Sequence, residues 1–211
     1  MPIFKNVEQS FFKIVVWEIT EDEATLTKGI TLHPSDSIKL NCLTNISKRK
    51  EFLALRQCLK VLFNKNPPVH YTANGKPYLE NDYYISFSHT KNFAAVICSQ
   101  THSVGVDLEG FRKGVLKIKP KFIREEEAKT LQDPIGVEHL TAYWGAKEVI
   151  VKIEGDRKLD FKKDIRVSPF LFKGKQCTRA ILIKEGQLKN YRLFFQEQTN
   201  FLLTYGWLIA D

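Results

Sequence analysis

Cysteine is scarce in this chain of 211 residues: Cys42, Cys58, Cys98 and Cys177 are the only four, with no CxxC pair and no histidine at zinc-finger spacing. That pattern excludes a finger-type structural zinc and argues for reduced thiols rather than a disulfide frame. The five histidines form no HExxH or similar ligand motif. No apolar run reaches membrane-spanning length, and "MPIFKNVEQSFFKIVVWEI" lacks both a long apolar core and a small-residue cleavage signal. A cytoplasmic protein with no membrane partner is therefore expected. Internal repeats and low-complexity linkers are also missing, and with 43% apolar and 12% aromatic residues the composition is that of an ordinary folded protein.

Charge is what the chain has in excess. A formal net charge of +8 and an isoelectric point near 9.2 favour an anionic partner: a nucleic acid, a nucleotide-like cofactor or an acidic protein. The basic residues are spread along the chain and do not interleave with aromatics in a recognisable RNA-binding motif, so nucleic acid is not the expected partner.

The periodicity alternates between strand and helix. "FFKIVVWEI" reads as a strand, a polar helical stretch begins at about Glu21, and "SKRKEFLALRQCLKVLF" reads as a strong helix with Phe52, Leu55, Leu59, Leu62 and Phe63 on one arc. Arg49, Arg56 and Lys60 form a basic stripe beside that arc, either pointing into a cleft or lying as a solvated flank. Pro67-Pro68 and Asn74-Gly75 are turn signals. Two apolar strands near 93–98 and 104–109 flank the polar "SQTH" and predict a hairpin. Helices in "KFIREEEAKTLQ" and "EHLTAYWGAKEVIVKIEG" and strands in "CTRAILIKE", "NYRLFFQEQ" and "NFLLTYGWLIA" complete a second half that loosely mirrors the first. The expected fold is α+β, with two loosely similar helix-plus-sheet lobes, 1–104 and 105–211, and the midpoint carboxylates near their seam.

"GVDLEG" carries the first chemical signal. On a strand, Asp107 and Glu109 share one face, opposite Val106 and Leu108. Two acids so close want a cation between them, and Mg²⁺ is commonly held by one or two carboxylates together with substrate phosphates. Two solvated acids on an edge strand would give the same pattern. "YWGAKEVIVK" carries the second signal: Trp144, Glu148 and Lys152 follow at four-residue steps along one helix face. By itself this is a surface Glu→Lys pair. Laid against the acidic strand, Glu148 becomes a third oxygen ligand and Lys152 a phosphate partner.

With both segments in hand, the chain resembles the surfactin-type (Sfp-type) 4′-phosphopantetheinyl transferases, whose paired signature is G-[IV]-D-x-E and [FW]-x-x-K-E-x-x-x-K. "KRKEFLALR", "NGKPYL", "ISFSHT" and "KFIREEEAKTL" are similar to further segments of that family, in the same order, so the resemblance spans roughly residues 10 to 170. It departs at Gly145, where the family more often has Ser, Thr or Cys, and at the glycine-poor "KIEGDRKLDF". The resemblance implies transfer of the phosphopantetheine arm of coenzyme A to a serine of an acidic apo carrier protein by a monomeric enzyme, with release of adenosine 3′,5′-bisphosphate. It further implies that the two lobes form a pseudo-dimer within one chain with coenzyme A at the seam, that Asp107, Glu109 and Glu148 hold Mg²⁺ on the pyrophosphate, that Glu148 is the base, and that Lys152 neutralises the departing phosphate. Lys76, Ser88 and His89 match nucleotide contacts, and Arg49, with Lys48 or Arg56, matches the basic residues gripping the 3′-phosphate. A nonenzymatic coenzyme A or carrier-protein binding module of the same fold is the alternative.

Overall fold

A computed structural model describes residues 3–80, 82–131 and 136–209. The chain divides into two compact units, Met1–Thr101 and His102–Asp211, where the sequence predicts a boundary after residue 104. Both are mixed α+β, built on antiparallel sheets.

The first unit runs β1 (Ile3–Glu8), β2 (Lys13–Glu18), α1 (Glu23–Thr27), α2 (Pro34–Cys42), α3 (Ile46–Phe63), β3 (His70–Tyr71), β4 (Pro77–Tyr78), β5 (Tyr84–Thr90) and β6 (Phe93–Ser99). Its main sheet has the order β1-β2-β6-β5, and the short β3 and β4 pair separately. β6 is central and buried along its whole length. That is why "FAAVICS" carries no polar alternation: both of its faces are covered. The helix α3 packs on β2 and β6. Asn45 caps it, its side chain accepting from the Ser47 and Lys48 amides. Leu53, Leu59, Val15, Trp17, Ile85 and Val96 form the core between helix and sheet.

The second unit runs β7 (Val104–Gly110), α4 (Gly114–Phe122), α5 (Glu125–Ala128), α6 (Val137–Glu154), β8 (Ile165–Val167), β9 (Lys175–Lys184), β10 (Gln187–Glu197) and β11 (Phe201–Ile209). Its sheet order is β7-β11-β10-β9-β8, and α6 lies across β7 and β11. Tyr143, Val149, Ile150, Tyr191, Leu193 and Phe195 fill the space between them.

Two expectations are corrected here. The hairpin predicted around "SQTH" does not form: β6 pairs with β2 and β5, while β7 pairs with β11. The two strands belong to different units, and each finds its hydrogen bonds within its own sheet. The single helix predicted over "KFIREEEAKTLQ" is also broken, because α4 ends at Phe122 and α5 restarts at Glu125, where Glu127 turns back to accept from the Arg124 amide. Among the described residues, no helix is long and apolar enough to cross a membrane.

Candidate active site

The second unit assembles Asp107, Glu109, Glu148 and Lys152. β7 is an edge strand, yet its acids are not both solvated, because α6 packs against it: Asp107 is only 5% exposed and Glu109 is half-buried. Two glycines allow that approach. A Cβ on Gly105 would stand 2.7 Å from the Val149 carbonyl oxygen, and one on Gly145 would stand 2.6 Å from the Thr204 hydroxyl and 3.6 Å from Asp107. The departure at Gly145 thus has a local cause, since Thr204, paired with Asp107 across β7 and β11, fills the volume a larger residue would need.

Lys152 closes the group. Its ammonium donates to Asp107 Oδ1 at 2.8 Å and to the Val106 carbonyl at 2.9 Å. The i,i+4 neighbour Glu148 sits one turn earlier on α6, and Trp144 one turn before that. Trp144 lies close enough to Glu109 to favour its charged form, which relates the helix stripe to the strand pair. Burial and then the Asp107 charge push the Glu148 carboxyl up to about 7, against the pull of Lys152. The same two causes raise Glu109, opposed by Arg112, Lys152 and the Trp144 indole. A carboxylate titrating near neutrality can take a proton and give it back at working pH, which is the requirement for general-base chemistry.

The donors are carboxylate oxygens, the set that suits Mg²⁺. Among the described residues, however, no three or more His, Cys, Asp or Glu side chains are gathered as a metal-holding group. The ammonium of Lys152 is the cation that Asp107 meets. A cavity of about 380 Å³ in the same unit is lined by Ile118, Lys121, Phe122, Trp144, Asp160 and Phe161, and Trp144 is the residue it shares with the helix stripe.

The remaining candidates lie in the first unit. His89 Nδ1 stands 3.1 Å from Glu51 Oε2 with its side chain 41% exposed, Ser88 is buried on β5, and Lys76 is half-buried in the turn between β3 and β4. The two arginines meet acids of their own unit. Arg49 grips Glu23 through Nε and Nη2 and donates from Nη1 to the Leu40 and Leu43 carbonyls, fastening α1 and the end of α2 to α3. Arg56 is completely buried, donates to both oxygens of Asp36 on α2, and stacks on Phe52. Both guanidinium groups tie helices of the first unit together, Arg56 with no exposed surface and Arg49 partly exposed. The two arginines of the basic stripe are anchors, whose partners Glu23 and Asp36 stand 26 and 20 residues away.

Sequence reasoning passed over Lys147 and Thr204. Lys147 is inside the same motif, but nothing in its neighbours along the chain distinguishes an exposed lysine from one that is 0% exposed.

Comparison with known proteins points the same way as the site. The chain is similar to a phosphopantetheinyl transferase. The relative, 4′-phosphopantetheinyl transferase gsp of Aneurinibacillus migulanus, is 28% identical over 111 residues, covering 50% of this chain and 46% of the relative. The chain therefore spans about half the length of the relative it matches. No protein-family model matches.

Proposed function

We propose that the protein transfers the 4′-phosphopantetheine arm of coenzyme A to a serine of an apo carrier protein, releasing adenosine 3′,5′-bisphosphate, as a member of the surfactin-type branch. The observation that carries this reading is the Asp107–Glu109–Glu148–Lys152 constellation: a base near neutrality, an ammonium and two further carboxylates on one helix–strand contact. The partial likeness to a named phosphopantetheinyl transferase supports it.

In this reading the carrier serine Oγ attacks the phosphorus that bears the pantetheine arm. The Oγ–P bond forms, the P–O bond to the 5′-phosphate of the nucleotide breaks, and the serine proton passes to Glu148. Lys152 offsets the charge that grows on the departing phosphate. Asp107, Glu109 and Glu148 would hold Mg²⁺, which supplies charge neutralisation to the pyrophosphate. Lys76, Ser88 and His89 would contact the nucleotide. An acidic carrier suits the net charge of +8.

The lack of a gathered metal-holding group among the described residues is what favours the second reading, a coenzyme A or carrier-protein binding module without catalysis. One experiment separates them. Purified protein is mixed with coenzyme A, Mg²⁺ and a panel of apo carrier proteins, with and without EDTA, and the carriers are weighed by intact mass spectrometry. An EDTA-sensitive gain of one phosphopantetheine arm is expected. Coenzyme A binding with no mass gain on any carrier would refute the transferase.

A further inference from the structure

Lys147 precedes Glu148 on α6 and is 0% exposed. Its ammonium donates to the Phe122 carbonyl at 2.5 Å, to Glu127 Oε2 at 2.8 Å and to the Phe161 carbonyl at 2.9 Å, with the Ile165 carbonyl at 3.4 Å. Glu127 is equally buried, and its carboxylate also accepts from the Val167 amide and the Arg124 amide, both at 2.9 Å. A full complement of acceptors around a buried ammonium is what makes such a pair tolerable inside a protein.

The position of this hub on the helix matters. Lys147 comes two residues after Gly145, so it projects about 200° around the axis from the glycine that meets the sheet. β7 and β11 hold α6 from one side, and the Lys147 hub, which reaches the Phe122, Phe161 and Ile165 carbonyls, holds it from another, with Glu148 between them. Without the hub, only apolar packing against α4 and Phe161 would oppose a roll on that side. A roll of about 20° moves a side-chain end some 6 Å from the axis by roughly 2 Å.

The hub also reaches the acids by a second route. Phe122 and Phe161, whose carbonyls Lys147 holds, put their rings against Trp144 at centroid distances of 5.3 and 5.0 Å. Trp144 in turn acts on the Glu109 carboxylate, favouring its charged form. One ammonium thus fixes the walls that hold the indole.

We propose that Lys147, paired with Glu127, is a positioning residue for the acid cluster, setting the roll of α6 that aims Glu148 and the aromatic walls that hold Trp144. The kinetic part of the test rests on the transferase reading; the spectroscopic part does not. The double variant Lys147→Met/Glu127→Gln removes both buried charges and keeps an amide oxygen for the Val167 amide. It is expected to fold, to lose about 10- to 100-fold in kcat with KM for coenzyme A nearly unchanged, and to shift the Trp144 indole ¹H–¹⁵N resonance. A purely structural ion pair would lower the melting temperature and leave both kcat and the indole resonance of the folded protein where they were. Support requires both changes; a folded variant with wild-type kcat, or with an unmoved indole, overturns the proposal. If the double variant does not fold, Glu127→Gln alone is judged on the same two readouts. If wild-type protein transfers to no carrier, the transferase reading fails separately and the indole resonance alone decides the hub.

Discussion

Replacing Glu148 by Gln should make the protein inactive and, above neutral pH, more stable. In an unfolded chain this carboxyl titrates near 4.5, and burial beside Asp107 raises it to about 7. A raised acid pKa means that the folded state holds its proton more tightly than the unfolded state. The stabilisation this represents is complete below pH 4.5 and is lost as pH rises through 7. The gap corresponds to roughly 3 kcal/mol at about 1.4 kcal/mol per pH unit. Because solvent reaches part of the carboxylate, about 2 kcal/mol is the working figure. The Glu148→Gln amide has no charge to desolvate, so the difference between variant and wild type should be near zero at about pH 4 and about 2 kcal/mol at about pH 8. Urea unfolding followed by tryptophan fluorescence measures this. With Trp17 of the first unit replaced by Phe in both backgrounds, Trp144 and Trp207 report on the second unit. Subtracting the two curves cancels every other titrating group to first order. A difference that stays flat across that range of pH would refute the claim that burial and Asp107 hold this carboxyl near neutrality.

Asp107→Ala should abolish transfer with the fold intact, and Lys152→Ala should depress kcat more than coenzyme A affinity; wild-type turnover of Asp107→Ala in saturating Mg²⁺ would remove this acid from the mechanism. Gly145→Ala should cost about 1 kcal/mol net, since crowding of Thr204 outweighs the helix propensity gained, and adding Thr204→Ala should restore stability in thermal melts; equal melting temperatures for all three proteins would contradict the close approach. Arg56→Met should destabilise by about 3–5 kcal/mol by stranding the buried Asp36 carboxylate, and Asp36→Leu in the same chain should recover most of it. A near-neutral Arg56→Met single variant in urea titrations would restore the case for a free, ligand-facing guanidinium.

How far the sequence reaches depends on the distance over which each residue finds its partner. Spacing alone put Asp107 and Glu109 on one strand face and Trp144, Glu148 and Lys152 on one helix face, because strand and helix periods are local geometry. The same local rules placed α3 and α6 and identified the C-terminal strands. They failed at "SQTH", where two apolar strands around a polar turn fit a hairpin as well as two separate edges, and hydrogen bonds to β2, β5 and β11 decided otherwise. They failed also for the arginines of α3. A basic stripe reads identically whether it faces a ligand, the solvent or an acid brought in from elsewhere, and only tertiary contact supplied Glu23 and Asp36.

By itself, then, the sequence determined which side chains could act together within each element, and through them the chemistry worth testing. Tertiary structure decided which elements meet. It closed α6 onto β7 through Gly105 and Gly145, which brought Lys152 to Asp107 and took enough water from Glu148 to raise its pKa. It also buried Lys147 on Glu127. The physical reason is that desolvation and charge pairing act through space: a carboxylate's pKa, or a lysine's task, is set by the atoms packed around it, many of them distant along the chain.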